Sequence, residues 1–457
     1  MSDVLCSVGL DVGTTTTQLI VSRITAENKA SSFAVPEMEI TERSVLYKSP
    51  VHFTPLLSGE LVDGDGIRRI VTGEYEKAGI RREDVDTGAI IITGETSRKE
   101  NAAAVLAALS DFAGEFVVAT AGPDLESVLA AKGSGAALWS EQTGKTVLHM
   151  DIGGGTSNLA LIRDGRVTAT GCFNVGGRLM KFDGDGRVVY VSPVLQGLIP
   201  YKTGDTLTAA QGMEVARLLA GVLEMAAGLR EKTEVFSHLT TRGTQSIEIT
   251  DGAVISFSGG VADCIETEKH WLSYGDLGPL LGKAIQESAL CRGVYRLGTE
   301  TIRATVIGAG CHSTQLSGST VYLQNTSLPL KNLPVAAVSE EEQALPAETL
   351  AGLIRDRLTA LEQWGILAMP GWNAPDYSRV TALADAVAAA VGEKPCYIAL
   401  GEDMAKALGH ALALRLPEGA SCLCIDRVKI PPDSFLDVGA PVGPAISVVV
   451  KTLVFES

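Results

Sequence analysis

The chain has 457 residues, 46% of them hydrophobic, which is length for about three ordinary domains and excludes a small binding module or a disordered polymer. Its 38 Lys and Arg stand against 54 Asp and Glu, a formal net charge of −16, which argues against nucleic acid or an anionic membrane as partner. Eight scattered cysteines lack the density of a disulfide scaffold and fit a reducing cytosol, no basic-then-apolar leader opens the chain, and no apolar run approaches the ~20 residues of a membrane span.

Residues 4–24, VLCSVGLDVGTTTTQLIVSRI, read as two β-rich runs joined by DVGTTTT, whose Gly and Thr residues suit a tight turn exposing several backbone N–H groups. A strand at 89–93, an Ala-rich helix at 97–109 opened by Thr96 and Ser97, and a strand at 116–120 follow. Next comes a helical pattern at 125–138, in which Gly133 and Gly135 permit close packing or a helix break. The hairpin grammar then returns at 146–163, TVLHMDIGGGTSNLALIR. Aligning Asp11 with Asp151 sets Gly13 on Gly153 and Thr16 on Thr156, and this internal echo predicts two related folding units.

Beyond the second hairpin, 164–205 holds glycine turns and short strands, and 208–230 reads as a helix with Thr206 and Thr208 as candidate caps. Two short strands are expected at 254–257, ending in SGGVAD, and at 305–307, ending in GAGCH. A proline-bearing stretch places a boundary near 325–345, with the acidic EEEQ of 340–343 as a solvated linker. The remainder is α/β: helices at 345–363, 380–391 and 403–414, and strands at 396–400, 421–425 and 446–455. Cys422 and Cys424 read as strand positions, lacking the two-residue spacing of a zinc or redox motif.

A Gly/Thr turn between two strands lets successive N–H groups point into one concavity that binds phosphate, and side-chain bulk would block it. A carboxylate at the strand end, Asp11 or Asp151, suits Mg²⁺ or an attacking water, since a hard cation prefers oxygen ligands. Two such loops face to face make a phosphate clamp. Neither has the spacing of a P-loop or of a dinucleotide-binding turn. Elsewhere His149 reads as a packed core histidine, His312 as a helix-start residue, and Arg98 and Lys99 as a solvated face.

GLDVGTTTT and MDIGGGTSNLALI resemble the first and second phosphate motifs of the actin, Hsp70 and sugar kinase ATPase superfamily, and ISFSGGVAD is similar to its adenosine motif. The resemblance implies an α/β, actin-like (Hsp70/ribonuclease H-like) ATPase with two related lobes around a nucleotide cleft. A first lobe over 1–140, a second over 141–330 with an inserted segment at 164–253, and a C-terminal α/β unit over 331–457 are expected. It also implies site roles. Asp11 and Asp151 would work at Mg²⁺ and the water, Gly13, Thr14 and Thr15 with Gly153, Gly154, Gly155 and Thr156 would hold the phosphates of ATP, and Gly259 and Gly260 would lie against the adenosine. Glu126, with Asp124 as substitute, is the candidate for orienting the hydrolytic water.

Read together, VGLDVGTTTTQLIVSR, IIITGETSRKENAAAVL, ATAGPDLESVLAAKGSGAA and LGEDMAKALGHAL resemble the reactivating factors of ethanolamine ammonia-lyase across nearly the whole chain. That resemblance implies an ATP-dependent chaperone that opens the lyase so that damaged cobalamin leaves and intact adenosylcobalamin enters. Cobalamin is then met indirectly, through the lyase. It implies a cytoplasmic protein associated with the ethanolamine microcompartment, and it leaves a homodimer open. Two alternatives share the clamp: a small-molecule kinase of the sugar kinase type and an actin-type filament or scaffold.

Overall fold

The computed structural model describes residues 2–13, 16–29, 38–57, 61–93, 109, 117–120, 123–241, 247, 252–312, 314–318, 320–361, 363–428, 430 and 434–452. Thr14, Thr15, Arg98, Lys99 and all but the last residue of the expected 97–109 helix lie outside them.

The first sheet contains β1 (Ser2–Val12), β2 (Thr16–Asn28), β3 (Met38–Lys48), β4 (His52–Phe53), β5 (Thr87–Ile92) and β6 (Val117–Thr120). Its order is β3-β2-β1-β5-β6, with β4 on β2; β1 runs antiparallel to β2 and parallel to β5. The second contains β7 (Val147–Ile152), β8 (Ser157–Arg163), β9 (Arg166–Phe173), β12 (Val254–Ser258) and β13 (Tyr295–Leu297), ordered β13-β12-β7-β8-β9. Strand for strand this is the same topology, since β7 is antiparallel to β8 and parallel to β12. The registers agree as well: Asp11 faces Gln18 across the first hairpin and Asp151 faces Asn158 across the second. In each, the turn closes with a 2.9 Å bond, Gly13 N–H to Thr16 O and Gly153 N–H to Thr156 O.

Both central strands lie between two neighbours, β7 buried throughout and β1 buried over most of residues 7–12, which is why these stretches are mostly apolar. One face of the first sheet packs Leu10, Leu19 and Ile90 against Ile67 and Val71 of the Gly64–Ala78 helix. The second packs Leu159 and Phe257 against Leu219 of the Ala209–Ala226 helix and Leu281 of the Gly278–Glu287 helix. Thr208 caps the former through Gln211, as its sequence suggested.

The chain crosses between lobes twice. After β6, the Pro123–Gly133 helix brings Ala131 against Val147 and Ile162 of the second sheet. After β13, the Ala304–His312 helix returns to the first, where Val306 and Ile307 meet Ile20 of β2. The expected strand at 305–307 is therefore corrected: this segment is helical, and His312 ends the helix where a helix-start role was expected. The two helices cross at glycines. A Cβ on Gly308 would fall 2.1 Å from Leu129 O, and one on Gly133 would fall 1.9 Å from Ala304 O, so only hydrogen fits at either position.

The inserted region carries the ribbon of β10 (Met180–Phe182) and β11 (Val188–Val191). β9, assigned by sequence to the insertion, is a strand of the lobe's own sheet. The C-terminal sheet has eight strands: β14 (Thr314–Leu316), β15 (Tyr322–Gln324), β16 (Leu330–Ala337), β17 (Ile366–Met369), β18 (Cys396–Leu400), β19 (Cys422–Ile425), β20 (Ser434–Val442) and β21 (Ala445–Thr452). Their order is β14-β21-β20-β16-β17-β18-β19-β15, with β16 to β19 parallel and joined by helices. This sheet takes in β14 and β15, which the sequence reading had left with the second lobe. The 340–343 segment is likewise no linker. It forms a helical turn capped by Ser339, Glu342 pairs with Arg357, and buried Gln343 exchanges hydrogen bonds with Gly371. Cys422 and Cys424 are buried along β19, with sulfurs 4.0 Å apart.

Candidate nucleotide cleft

The twin hairpins open toward each other across a cavity of about 460 Å³. Asp11, Gly13, Glu126, Asp151, Gly153, Gly154, Gly155, Thr156, Gly259 and Gly260 all line it. Asp124 does not: it is exposed, and its carboxylate accepts a hydrogen bond from Thr170. Glu126 is buried, and its Oε2 accepts a 2.6 Å bond from Asn158 Nδ2, so the residue opposite Asp151 in the second hairpin fixes this carboxylate.

Asp11 and Asp151 stand at the ends of equivalent strands and look into the same space. Burial raises the Asp11 carboxyl to about 7, with the charge of Asp151 adding to the rise and a 2.9 Å bond from Thr93 Oγ1 opposing it. Asp151 is raised by burial too, opposed by hydroxyl bonds to both oxygens: Ser258 Oγ to Oδ1 at 2.5 Å and Thr305 Oγ1 to Oδ2 at 3.3 Å. Two desolvated carboxylates held together in this way are short of positive charge, which is the condition a hard divalent cation relieves.

Behind Asp151 lies a relay that sequence reasoning missed. His149 is fully buried, as expected of a core histidine, and burial lowers it to about 3, so it is neutral. Its Nε2 lies 2.8 Å from Ser258 Oγ and its Nδ1 3.2 Å from Ser256 Oγ. Ser258 donates its only proton to Asp151, so His149 Nε2–H donates to Ser258 and Ser256 donates to Nδ1. The alternation of His149 and Asp151 on β7, matched by Ser256 and Ser258 in register on β12, was the signal available in the sequence.

The loops are shaped by close approach. Gly259 has φ +87°, and a Cβ there would lie 2.3 Å from Ile152 O. Val261 N–H bonds that same carbonyl, which draws the 259–261 turn down onto the end of β7. On the other side, Thr54 Oγ1 donates to Gly13 O at 2.7 Å and steadies the first loop. A glycine-walled hollow of this kind offers backbone N–H groups to an anion. Thr93, Ser258, Thr305, Gln18, Asn158 and Arg178 are among the cleft's other polar residues, and each comes from a segment outside the two loops.

The chain matches the family model described as ethanolamine utilisation protein EutA over residues 3–456. It is 39% identical over 468 residues to the ethanolamine ammonia-lyase reactivase EutA of Salmonella typhimurium, with 99% of each chain covered. The protein of the same description from Escherichia coli is equally similar over the same span. Among solved structures, a Ppx/GppA family member from Aquifex aeolicus is similar at 11% identity and a TM-score of 0.42, over 67% of this chain and 97% of that one.

Proposed function

The chain belongs to the family of the ethanolamine utilisation protein EutA, and from that premise we propose that it is an ATP-dependent reactivase of ethanolamine ammonia-lyase. The observation that carries the reading is the near-complete match to two reactivases, end to end in both chains. The cleft supports the ATP part of it. The same glycine-turned hairpin occurs twice, and both copies face one cavity. The small-molecule kinase reading draws no support from these relatives.

Within this reading, Asp11 and Asp151 hold Mg²⁺, directly or through water, and the 13–15 and 153–156 loops hold phosphate through their N–H groups. Mg²⁺, when bound, offsets phosphate charge and polarises the scissile group. Ser258 and Thr305 fix the direction of the Asp151 carboxylate, while Asn158 aims Glu126 at the site of the attacking water. Gly259 and Gly260, which line the cleft, lie against the adenosine in this reading. Contacts made only with the triphosphate favour closure across the glycine crossing, and their loss favours opening. Such a cycle opens the lyase only if the inactive lyase is bound differently from the active one, because equal affinity shifts no equilibrium. Damaged cobalamin then leaves and intact adenosylcobalamin enters. The cytoplasm, at the ethanolamine microcompartment, is the proposed place of work.

The test uses lyase inactivated with cyanocobalamin, mixed with this protein, ATP, Mg²⁺ and fresh adenosylcobalamin. Ammonia release should recover with ATP and stay low without it. Recovery no greater than in the control lacking ATP refutes the proposal.

A further inference from the structure

Five carboxylates line the cleft, from Asp11, Glu126, Asp151, Asp263 and Asp276. Against them stands a single Arg or Lys among the described lining residues, Arg178. A nucleoside triphosphate is a polyanion, and a divalent ion between Asp11 and Asp151 answers only part of the repulsion it would meet there. The position of Arg178 is built from both sides. Its N–H donates to Gly154 O at 2.6 Å, and that of the preceding Gly177 donates to Gly153 O at 3.0 Å, which clips the 176–178 turn onto the second phosphate loop. The arginine stem runs along that loop: a Cβ on Gly154 would lie 3.2 Å from Arg178 Cδ and 3.5 Å from its Cγ.

On the far side, Nε donates to Asp276 Oδ2 at 3.2 Å, and the buried Asp276 is itself fixed by Gly278 N–H, 2.8 Å from Oδ1. Nε is thereby occupied, no described residue takes the Nη groups, and the side chain keeps 28% of its exposure. A planar guanidinium restrained along one edge presents its remaining N–H groups as a fork suited to phosphate oxygens.

We infer that Arg178 is the residue that engages the nucleotide phosphates by charge, with Asp276 as its positioning residue; the inference rests on the ATP reading above. It adds a side-chain cation to the backbone N–H groups and the metal that the ATP reading calls for.

The experiment is calorimetric titration of ATP with Mg²⁺ into the wild-type chain, Arg178→Gln, Arg178→Lys and Asp276→Asn, with a melting curve for each unliganded variant. Arg178→Gln should bind ATP about 10- to 100-fold more weakly while still folded at the titration temperature, as expected for loss of charge-assisted hydrogen bonds, with a modest fall in melting temperature because the buried Asp276 loses its partner. Arg178→Lys should fall between, keeping the charge without the fork. Asp276→Asn should lose a smaller factor than Arg178→Gln, because the guanidinium remains but is no longer held. Wild-type affinity in Arg178→Gln overturns the assignment. So does a loss of affinity that comes only with a lowered melting temperature shared by Arg178→Lys, which would make the arginine structural. No ATP uptake by the wild-type chain is a different failure: it removes the nucleotide reading and this assignment with it.

Discussion

Asp11→Asn, without metal or nucleotide, should change how stability depends on pH. In the unfolded chain this carboxyl titrates near 3.8, whereas burial and the neighbouring Asp151 raise it to about 7 in the fold. Between those values the folded state holds a proton that the unfolded state releases, so the wild-type chain loses stability as pH rises through that interval. At about 1.36 kcal/mol per pH unit the ceiling is about 4 kcal/mol, and the residue's partial contact with solvent brings the expectation to about 2 kcal/mol. The asparagine has no proton to lose and still accepts from Thr93 through its amide oxygen. The variant should therefore match the wild-type chain near pH 4 and exceed it progressively up to pH 8. Denaturant titration in EDTA at several pH values reads the difference directly. Added Mg²⁺ should then stabilise the wild-type chain more than the variant. A gap that stays constant from pH 4 to pH 8 would show that Asp11 is not held protonated by its surroundings, and the electrostatic account of the paired carboxylates would fail.

Three further substitutions test other parts of the frame. Ser258→Ala removes the donor to Asp151 Oδ1 and the acceptor of His149 Nε2–H in one step, leaving two buried polar atoms without these partners. It should cost about 2–3 kcal/mol in thermal unfolding and depress Mg²⁺-dependent ATPase turnover, and full retention of both would dismiss the relay. Gly308→Ala places a methyl 2.1 Å from Leu129 O and should lower stability by at least about 2 kcal/mol. By contrast, Gly352→Ala, in the Ala347–Ala360 helix with nothing within 4 Å of the new methyl, should raise it by about 0.5–1 kcal/mol. Paired melting curves separate steric collision from the ordinary cost of glycine in a helix.

The hairpins were legible because everything that defines them is local: an apolar run, a carboxylate at its end, and glycines at fixed spacing. Asp11 and Asp151, with the glycines of both loops, could be marked for that reason, and Gln18 and Asn158 fall at matching positions of the same repeat. The surrounding donors were not legible in the same way. Thr93 reaches Asp11 because β5 pairs with β1, and Thr305 reaches Asp151 through a helix arriving from the far end of the second lobe. No spacing within one segment encodes either contact. The misread segments failed for a related reason. VIGAGCH has the β-branched residues and glycines of a strand and turn, yet burial between the first sheet and the Pro123–Gly133 helix overrides that preference, and its glycines serve close packing. EEEQ has the composition of a solvated linker, but Ser339 and Arg357 give Glu342 partners, and Gln343 is buried against Gly371.

The misread helix is also where three bodies meet. In its first turn, Thr305 holds Asp151, a residue of the second lobe. Near its last, Gly310 O accepts a 2.5 Å bond from Ser7 Oγ of β1, the strand that carries Asp11. One residue beyond the helix's end at His312 the chain enters β14, which pairs with β21, while Val442, Ala445 and Val449 of the same C-terminal sheet pack against the first lobe. The C-terminal sheet is thus tied to the first lobe by chain connection and apolar contact, whereas the described side-chain bond from this helix to Asp151 is one hydroxyl at 3.3 Å. Rearrangement at Asp151 has a short mechanical path: the helix either keeps Thr305 on the carboxylate and moves against Ser7 and β14, or stays with the first lobe and gives up that bond. The glycine crossing makes the choice sharp, because backbone packed on backbone, without compressible side chains between, transmits displacement.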